Sequence, residues 1–440
     1  MTDRPVVVIG AGPTGLAAAA HLRSRGLTPL VLEAGHRAGA AVREWSHIRL
    51  FSPWQEVTDP QAVSLLSEHG WSEPDGDRYP TGGDWAQAYL QPLADALGPA
   101  VRYGARVTGV ARHGRDRLVD SGRDGEGFSV QVSGPDGAER IEARAVLDAS
   151  GTWARPNPLG ADGLPALGEA SGPVTYQVPD LRDPDVRATY AGRHVVVAGT
   201  GASAMTALIG LAEIAEEVPE TSITWLVRRG STASTFGGGD NDQLVERGAL
   251  GSRAQSAVES GRIRTVTGFR TSTLASRDGR VDLESFDGQR VEAADQIIAL
   301  TGFRPDLSYL SEVRLDLDPV LHSPRALAPL IDPNVHSCGT VYPHGAKELT
   351  QPESGFYLVG MKSYGRAPSF LAMTGYEQVR SVVAEIAGDH AAAAQVELTL
   401  PETGVCGGAG LFDEAAAAPA GGCCGTAPDE LLTIGGKMTG

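Results

Sequence analysis

The sequence predicts an α/β fold with two Rossmann-like dinucleotide-binding domains, the second inserted into the first, and a flexible C-terminal tail. Two observations carry this expectation. Two glycine fingerprints stand far apart in the 440-residue chain, Gly10-x-Gly12-x-x-Gly15 and Gly199-x-Gly201-x-x-Ala204. Each comes after an apolar run of buried-strand type, Val6-Val7-Val8-Ile9 and Val195-Val196-Val197-Ala198, and each opens a helical stretch, Leu16–Leu22 and Met205–Ile214. One fingerprint alone is weak evidence, whereas two in the same strand–loop–helix context are strong.

The loops have a physical logic. A pyrophosphate needs close donors, and a helix N-terminus offers unpaired N–H groups and a partial positive charge. Gly10 permits the tight turn, Gly12 lets the backbone approach the ligand, and Gly15 lets the helix pack on the strand. Pro13 and Thr14 complete that loop. Gly199, Gly201 and Ala204 repeat the three roles, with Ala202 and Ser203 between them.

The strand after each loop selects the nucleotide. After the first loop, the strand Thr28-Pro29-Leu30-Val31-Leu32-Glu33 ends in Glu33, about 20 residues past the glycines, where a carboxylate bonds ribose hydroxyls. A carboxylate there repels a 2′-phosphate, so the first site suits FAD. After the second loop, Ser222–Val227 ends in Arg228-Arg229. Two guanidiniums at that place suit a 2′-phosphate, so the second site suits NADPH. Two nucleotides on one chain imply electron transfer between them.

The remaining elements fall into place around these units. Residues 36–60 are polar and aromatic (His36, Arg37, Arg43, Trp45, His47, Arg49, Phe51, Trp54), a composition suited to covering a flavin or to an ordinary surface excursion. A helix is expected around Trp85–Leu97. Alternating segments at Val101–Val110, which includes Val107, and Phe128–Val132 suggest a β-meander returning to the sheet through Ala143–Asp148 and the turn Ser150-Gly151. Residues 155–185, rich in Pro, Gly and Asp, read as a linker.

The second unit closes with Gln296–Leu300 and Thr301-Gly302, matching the turn Asp148–Gly151 as in a weak internal duplication. The glycine-rich loop Thr235–Asp242 has two readings, a border of the nicotinamide and a plain turn. The strand Phe356–Val359, the turn Gly360-Met361-Lys362 and a helix from about Ser369 to Ile386 bring the chain back to the first unit. There the helix N-terminus suits the negative charge of a reduced flavin. The expected domains are therefore 1–154 and 306–390 for FAD, 155–305 for NADPH, and 391–440 as a Cys-containing tail.

Composition narrows the function. A net charge of −17 argues against nucleic acid, and no apolar run approaches a membrane span. A hydrophobic content of 41% is ordinary for a soluble globular protein. The first strand begins within a few residues of Met1, so a cytoplasmic protein without a signal peptide is expected, with its four cysteines reduced. Monomer and homodimer are equally compatible with these features. Lysine occurs only at 347, 362 and 437.

The fingerprints, together with Leu300-Thr301-Gly302-Phe303-Arg304-Pro305-Asp306, resemble the two-dinucleotide-binding-domain flavoproteins, and among them class B flavin monooxygenases. The resemblance covers roughly residues 5–385. It implies an enzyme in which NADPH reduces FAD and the reduced flavin, with molecular oxygen, oxygenates a soft lone pair on a small substrate. Arg49, Val107, Gly151, Gly302 and Gly360 join the expected cofactor contacts, with Arg49 and the His47 region at the flavin rim, and no catalytic side chain is designated. One departure stands out. The signature F-x-G-x-x-x-H expected before the second loop is absent, since that stretch reads Val174-Thr175-Tyr176-Gln177-Val178-Pro179-Asp180. Control of the oxygenated flavin is assigned to that region in the family.

A narrower resemblance rests on His47-Ile48-Arg49-Leu50-Phe51-Ser52-Pro53-Trp54, Pro401–Cys406 and Gly422-Cys423-Cys424-Gly425. These segments look like the flavoproteins of bacterial arsenic-resistance operons, and imply trivalent arsenicals as substrates. Cys406, Cys423 and Cys424 then have two readings, thiolates for trivalent arsenic and incidental thiols in a tail. No C-x-x-C pair is present for disulfide chemistry. His336, Cys338 and His344 match no four-ligand zinc spacing, and a structural role is expected for them. The rival functions are a reductase that passes electrons to a quinone or protein, and a non-enzymatic thiol-tailed arsenic binder.

Overall fold

Two parallel five-stranded sheets organise the chain, one around each glycine loop. The computed structural model describes residues 4–135, 137–232, 235–237, 242, 244–333, 344–368 and 370–396. The first sheet is built from β1 (Val6–Ile9), β2 (Pro29–Leu32), β3 (Val101–Arg102), β7 (Ala145–Asp148) and β16 (Phe356–Leu358), in the order β16-β7-β1-β2-β3. The second is built from β8 (Val174–Thr175), β9 (His194–Ala198), β10 (Ser222–Val227), β11 (Ile263–Thr267) and β15 (Gln296–Ala299), in the order β11-β10-β9-β15-β8. Strand β16 comes after the whole second sheet in sequence yet pairs with β7, so the second unit is an insertion into the first.

The apolar runs become central strands because both faces are covered. Val6, Val7 and Val8, like Val195, Val196 and Val197, are fully buried, as strands of parallel sheets must be. The helix Pro13–Ser24 starts with proline in its first turn, where no N–H bond is lost, and buries Leu16 through Ala20. It packs against the helix Ala372–Ile386 in the same core.

Two antiparallel three-stranded sheets flank the large ones. The expected meander is present as β4 (Arg106–Arg112), β5 (Phe128–Gly134) and β6 (Gly137–Ala143). A second one, β12 (Thr271–Arg277), β13 (Arg280–Ser285) and β14 (Arg290–Ala294), lies within the second unit and has no counterpart among the expected elements. The 155–185 stretch is more than a linker, because Val174 and Thr175 pair with Ile297 and Ile298 as an edge strand. The helix near Trp85–Leu97 runs from Gly82 to Leu97 with a π-helical turn at Ala86–Leu90.

At the far end, His390–Ala394 forms a short helix tied down by Ser381 Oγ, which donates to the Ala393 carbonyl at 2.6 Å. The expected tail therefore begins no earlier than residue 395. No helix among the described residues is long and apolar enough to cross a membrane.

Candidate functional site

The carboxyl ends of the strands carry the site, as the physics of open α/β sheets requires. Gly10 has φ +99°, and a Cβ built on it would lie 2.9 Å from the Ala149 carbonyl oxygen. Gly199 repeats this with φ +127° and 2.2 Å to the Leu300 carbonyl oxygen. The apparent duplication of the two turns is thus a real contact in both halves. A Cβ on Gly15 would sit 2.0 Å from the Gly10 carbonyl oxygen, so only glycine closes that turn. Ala204 is fully buried where the second loop tolerates a methyl group.

Gly12 and Gly201 behave differently. A Cβ on either meets nothing within 4 Å, so their backbones face open space at the starts of the helices Pro13–Ser24 and Ala202–Glu217. Each half thus has an open cradle at a helix N-terminus, a geometry that suits a phosphate. Glu33 completes the first cradle. Its carboxylate accepts from Ala11 N–H and Gly35 N–H, both at 2.7 Å, and still lines the open space. Thr14 is gripped from the opposite side, since Cβ atoms on Gly360 and Gly375 would come within 2.8 and 2.6 Å of its hydroxyl. The Gly360 N–H donates to Gln378 Oε1 at 2.7 Å, which fixes the turn after β16.

One cavity of about 1160 Å³ joins the two cradles. Gly10, Gly12, Pro13, Thr14 and Glu33 line one end, and Ala202, Ser203 and Thr206 line the other. Between them Trp45, His47, Arg49, Leu50 and Phe51 all stand on the wall. Gly151 lines it as well, next to Ser150 and Trp153. Residues that no sequence motif marks complete the wall, among them Arg187, Glu213, Arg253 and Met361. Their spacing is uninformative because they come from separate elements that only folding brings together.

Several expected cofactor contacts lie off this cavity. Val107 is 9% exposed and packs in the β4–β5 pairing opposite Val132. Gly302 has φ +86° and turns beside Asn157, whose amide N–H donates to the Thr301 carbonyl at 2.9 Å. Arg228 and Arg229 come directly after β10 at the carboxyl edge of the second sheet and do not line the joint cavity. Gly360 is buried against Thr14, and its neighbour Met361 reaches the cavity in its place. Cys406, Cys423 and Cys424, like His336 and Cys338, lie outside the described residues, as do 238–241 of the loop 235–242. His344 is buried, with its Nε2 2.8 Å from the Gln378 amide nitrogen. Among the described residues no cluster of His, Cys, Asp or Glu suits a metal ion.

His47 is the titratable group of the wall. Burial pushes its pKa below the ordinary value, against the pull of Asp180, and its Nε2 has no hydrogen-bond partner among the described residues. Asp180 is pushed up by burial, but hydrogen bonds from Arg182 outweigh this and hold its carboxyl below the usual range. A neutral imidazole beside an Asp180–Arg182 pair is therefore the state near neutral pH.

The sequence profile of the pyridine nucleotide-disulphide oxidoreductases matches residues 7–323. The chain belongs to that family. It is an FAD- and NADPH-dependent oxidoreductase. Among curated relatives, it is 28% identical to a ferredoxin–NADP reductase of Gluconacetobacter diazotrophicus over 356 residues, 78% of this chain and 84% of that one. Among solved structures, it resembles a bacillithiol disulfide reductase from Bacillus cereus at TM-score 0.65 and 20% identity, covering 88% of this chain and 99% of that one. It also resembles a flavin-containing monooxygenase from Stenotrophomonas maltophilia at TM-score 0.55 and 24% identity, covering 87% and 98%. These structural likenesses establish the shared fold.

Proposed function

We propose that this family member is a monooxygenase that oxygenates a soft nucleophilic centre in a small molecule, a trivalent organoarsenical, as a step in arsenic detoxification. The observation that carries the reading is the single cavity of about 1160 Å³ shared by both glycine loops and walled by Trp45–Ser52. A shared cavity lets two nucleotides meet without a protein relay. In this reading 1–154 and 306–394 hold FAD, 155–305 hold NADPH, and the tail follows Ala394.

The residues divide the work. Gly10, Gly12 and the N–H groups opening Pro13–Ser24 would hold the FAD pyrophosphate, with Glu33 on the ribose hydroxyls. Gly201, Ala202 and Ser203 would hold the NADPH pyrophosphate, and Arg228 with Arg229 its 2′-phosphate. FAD, when bound, supplies hydride acceptance and oxygen activation. Trp45, Leu50, Phe51, Met361 and Phe370 present apolar surface to the cavity, which excludes water and suits an uncharged, polarisable substrate. The resemblance of residues 47–54 to arsenic-operon flavoproteins supports the substrate class.

NADPH consumption and oxygen uptake, measured with and without a trivalent methylated arsenical, test the proposal. Coupled, arsenical-stimulated consumption with a pentavalent product is expected. Slow consumption indifferent to the arsenical would replace it with a reductase passing electrons to a quinone or protein, the reading favoured by the ferredoxin–NADP reductase relative. Deleting residues 401–440 separates both from an arsenic-binding protein, since an enzyme retains turnover and a thiol-tailed binder loses its ligand.

A further inference from the structure

Below the first cradle lies a buried charge that the proposed chemistry does not use. Lys362 and Asp148 are both 0% exposed, with Nζ 2.7 Å from Oδ2. Asp148 ends β7, an interior strand of the sheet, paired with Ile9 on one side and Leu358 on the other. Tyr309 donates its O–H to Asp148 Oδ2 at 2.6 Å, and Lys362 Nζ also bonds the Tyr309 oxygen. Ser150 donates its O–H to Asp148 Oδ1 at 2.7 Å and accepts from Lys362 Nζ at 3.0 Å. A buried ion pair is seldom the most stable filling for such a space, so this one calls for another reason.

Counting donors supplies one. A lysine ammonium has three N–H donors, and here they meet Asp148, Tyr309 and Ser150. Ser150 Oγ also lies 3.0 Å from the Tyr309 hydroxyl, whose own hydrogen goes to Asp148 Oδ2 at 2.6 Å. The shorter contact, 2.7 Å to Asp148 Oδ1, takes the single hydroxyl hydrogen of Ser150, and one lone pair goes to Lys362. Ser150 alone of the four lines the cavity, so it offers an acceptor there and not a donor. Its Cα lies 3.1 Å from a Cβ built on Gly10, beside the loop that suits the pyrophosphate. Glu33 marks the ribose end of that cradle, and Ser150 with Met361 marks the other.

We propose that Lys362, Asp148 and Tyr309 are positioning residues that lock Ser150 as a hydrogen-bond acceptor for a ribityl hydroxyl of the flavin. A phosphate oxygen has no hydrogen to give and is refused at this point, so the lock sets the register of the dinucleotide along the cradle. The assignment rests on the reading that the first cradle holds FAD.

The test is FAD affinity of the apoprotein for S150A, Y309F, K362M and the S150A/K362M double variant, with FAD and with 2′-, 3′- and 4′-deoxyribityl FAD as probes. Each single variant is expected to weaken FAD roughly tenfold, the scale of one charge-assisted hydrogen bond. The double variant should bind no more weakly than the worse single one. One deoxy analogue should bind the native protein roughly tenfold less well than FAD, yet bind S150A as well as FAD does.

Additive losses, a folded Y309F or K362M with native affinity, or analogues that all bind the native protein like FAD would each overturn the proposal. If K362M does not fold, Y309F carries the test, because it removes only one hydroxyl. G12V separates the two layers of the argument. Retained FAD binding in G12V sinks the cradle reading itself, whereas its loss alongside native affinity in Y309F sinks only the lock.

Discussion

Trp153 donates its indole N–H to Glu44 Oε2 at 2.8 Å, joining the segment that leaves the first sheet to the short helix Ala40–Glu44. The same oxygen accepts from the Gln177 amide at 2.8 Å, in the stretch that leads into the second unit. Arg182 adds a bond to the His47 carbonyl at 3.1 Å. Trp153 also stacks on Phe303, with ring centroids 4.7 Å apart, so both crossings between the units meet at one place. Trp153, Phe303, His47 and Arg182 also line the shared cavity, so these contacts tie its walls together.

Glu44→Ala should therefore loosen the two units. The expected outcome is a fall in the rate of flavin reduction by NADPH of roughly tenfold, with FAD affinity unchanged, since Glu44 does not line the cavity. Stopped-flow reduction beside FAD titration checks it, and a parallel loss of FAD affinity would contradict the clamp.

Gly15→Val places side-chain atoms where even a Cβ lies 2.0 Å from the Gly10 carbonyl oxygen. The loop cannot keep its turn, and the variant should purify colourless, with a melting temperature several degrees lower. Flavin absorbance and a thermal melt decide this.

Glu33→Gln keeps the size of the side chain and removes the charge that faces Ala11 N–H and Gly35 N–H. Weakening of FAD binding by roughly tenfold is expected, measured by fluorescence titration. Reversing the charges in R228E/R229E should cut the preference for NADPH over NADH by on the order of a hundredfold, as a 2′-phosphate then meets carboxylates. Equal kcat/KM ratios for the native and the reversed protein would remove the 2′-phosphate from these arginines.

His47 gives a pH dependence. Its folded pKa lies below the ordinary value through burial, so near pH 6 the unfolded chain binds the proton more readily than the folded one. Stability should be full above the unfolded value, near 6.5, and fall as pH drops toward the folded value. His47→Asn should flatten that acid limb, and thermal melts between about pH 5 and 8 test it. An unchanged limb would assign the loss to other groups.

The first glycine loop, its helix and Glu33 are legible in the sequence because each role is local. A turn that admits no side chain, a helix N-terminus and a carboxylate at the next strand end all occur within one βαβ stretch. The insertion is legible for the same reason, since Phe356–Val359 repeats the apolar strand pattern after the second unit has closed. The second meander is not, because its short alternating strands carry no motif. Nor is β8, because two residues of strand cannot be read within a Pro-rich stretch.

From the residues alone come the two glycine turns, the nucleotide that each would suit and the polar, aromatic segment after the second strand. Tertiary structure alone decides that both cradles open into one cavity, that Glu44 clamps the crossings, and that Lys362 and Asp148, 214 positions apart by their numbers (362 − 148), face each other below Ser150. Local sequence encodes backbone turns and helix ends, where the interacting atoms are close along the chain. Side-chain pairs between distant strand ends depend on sheet order and register, which no single segment carries.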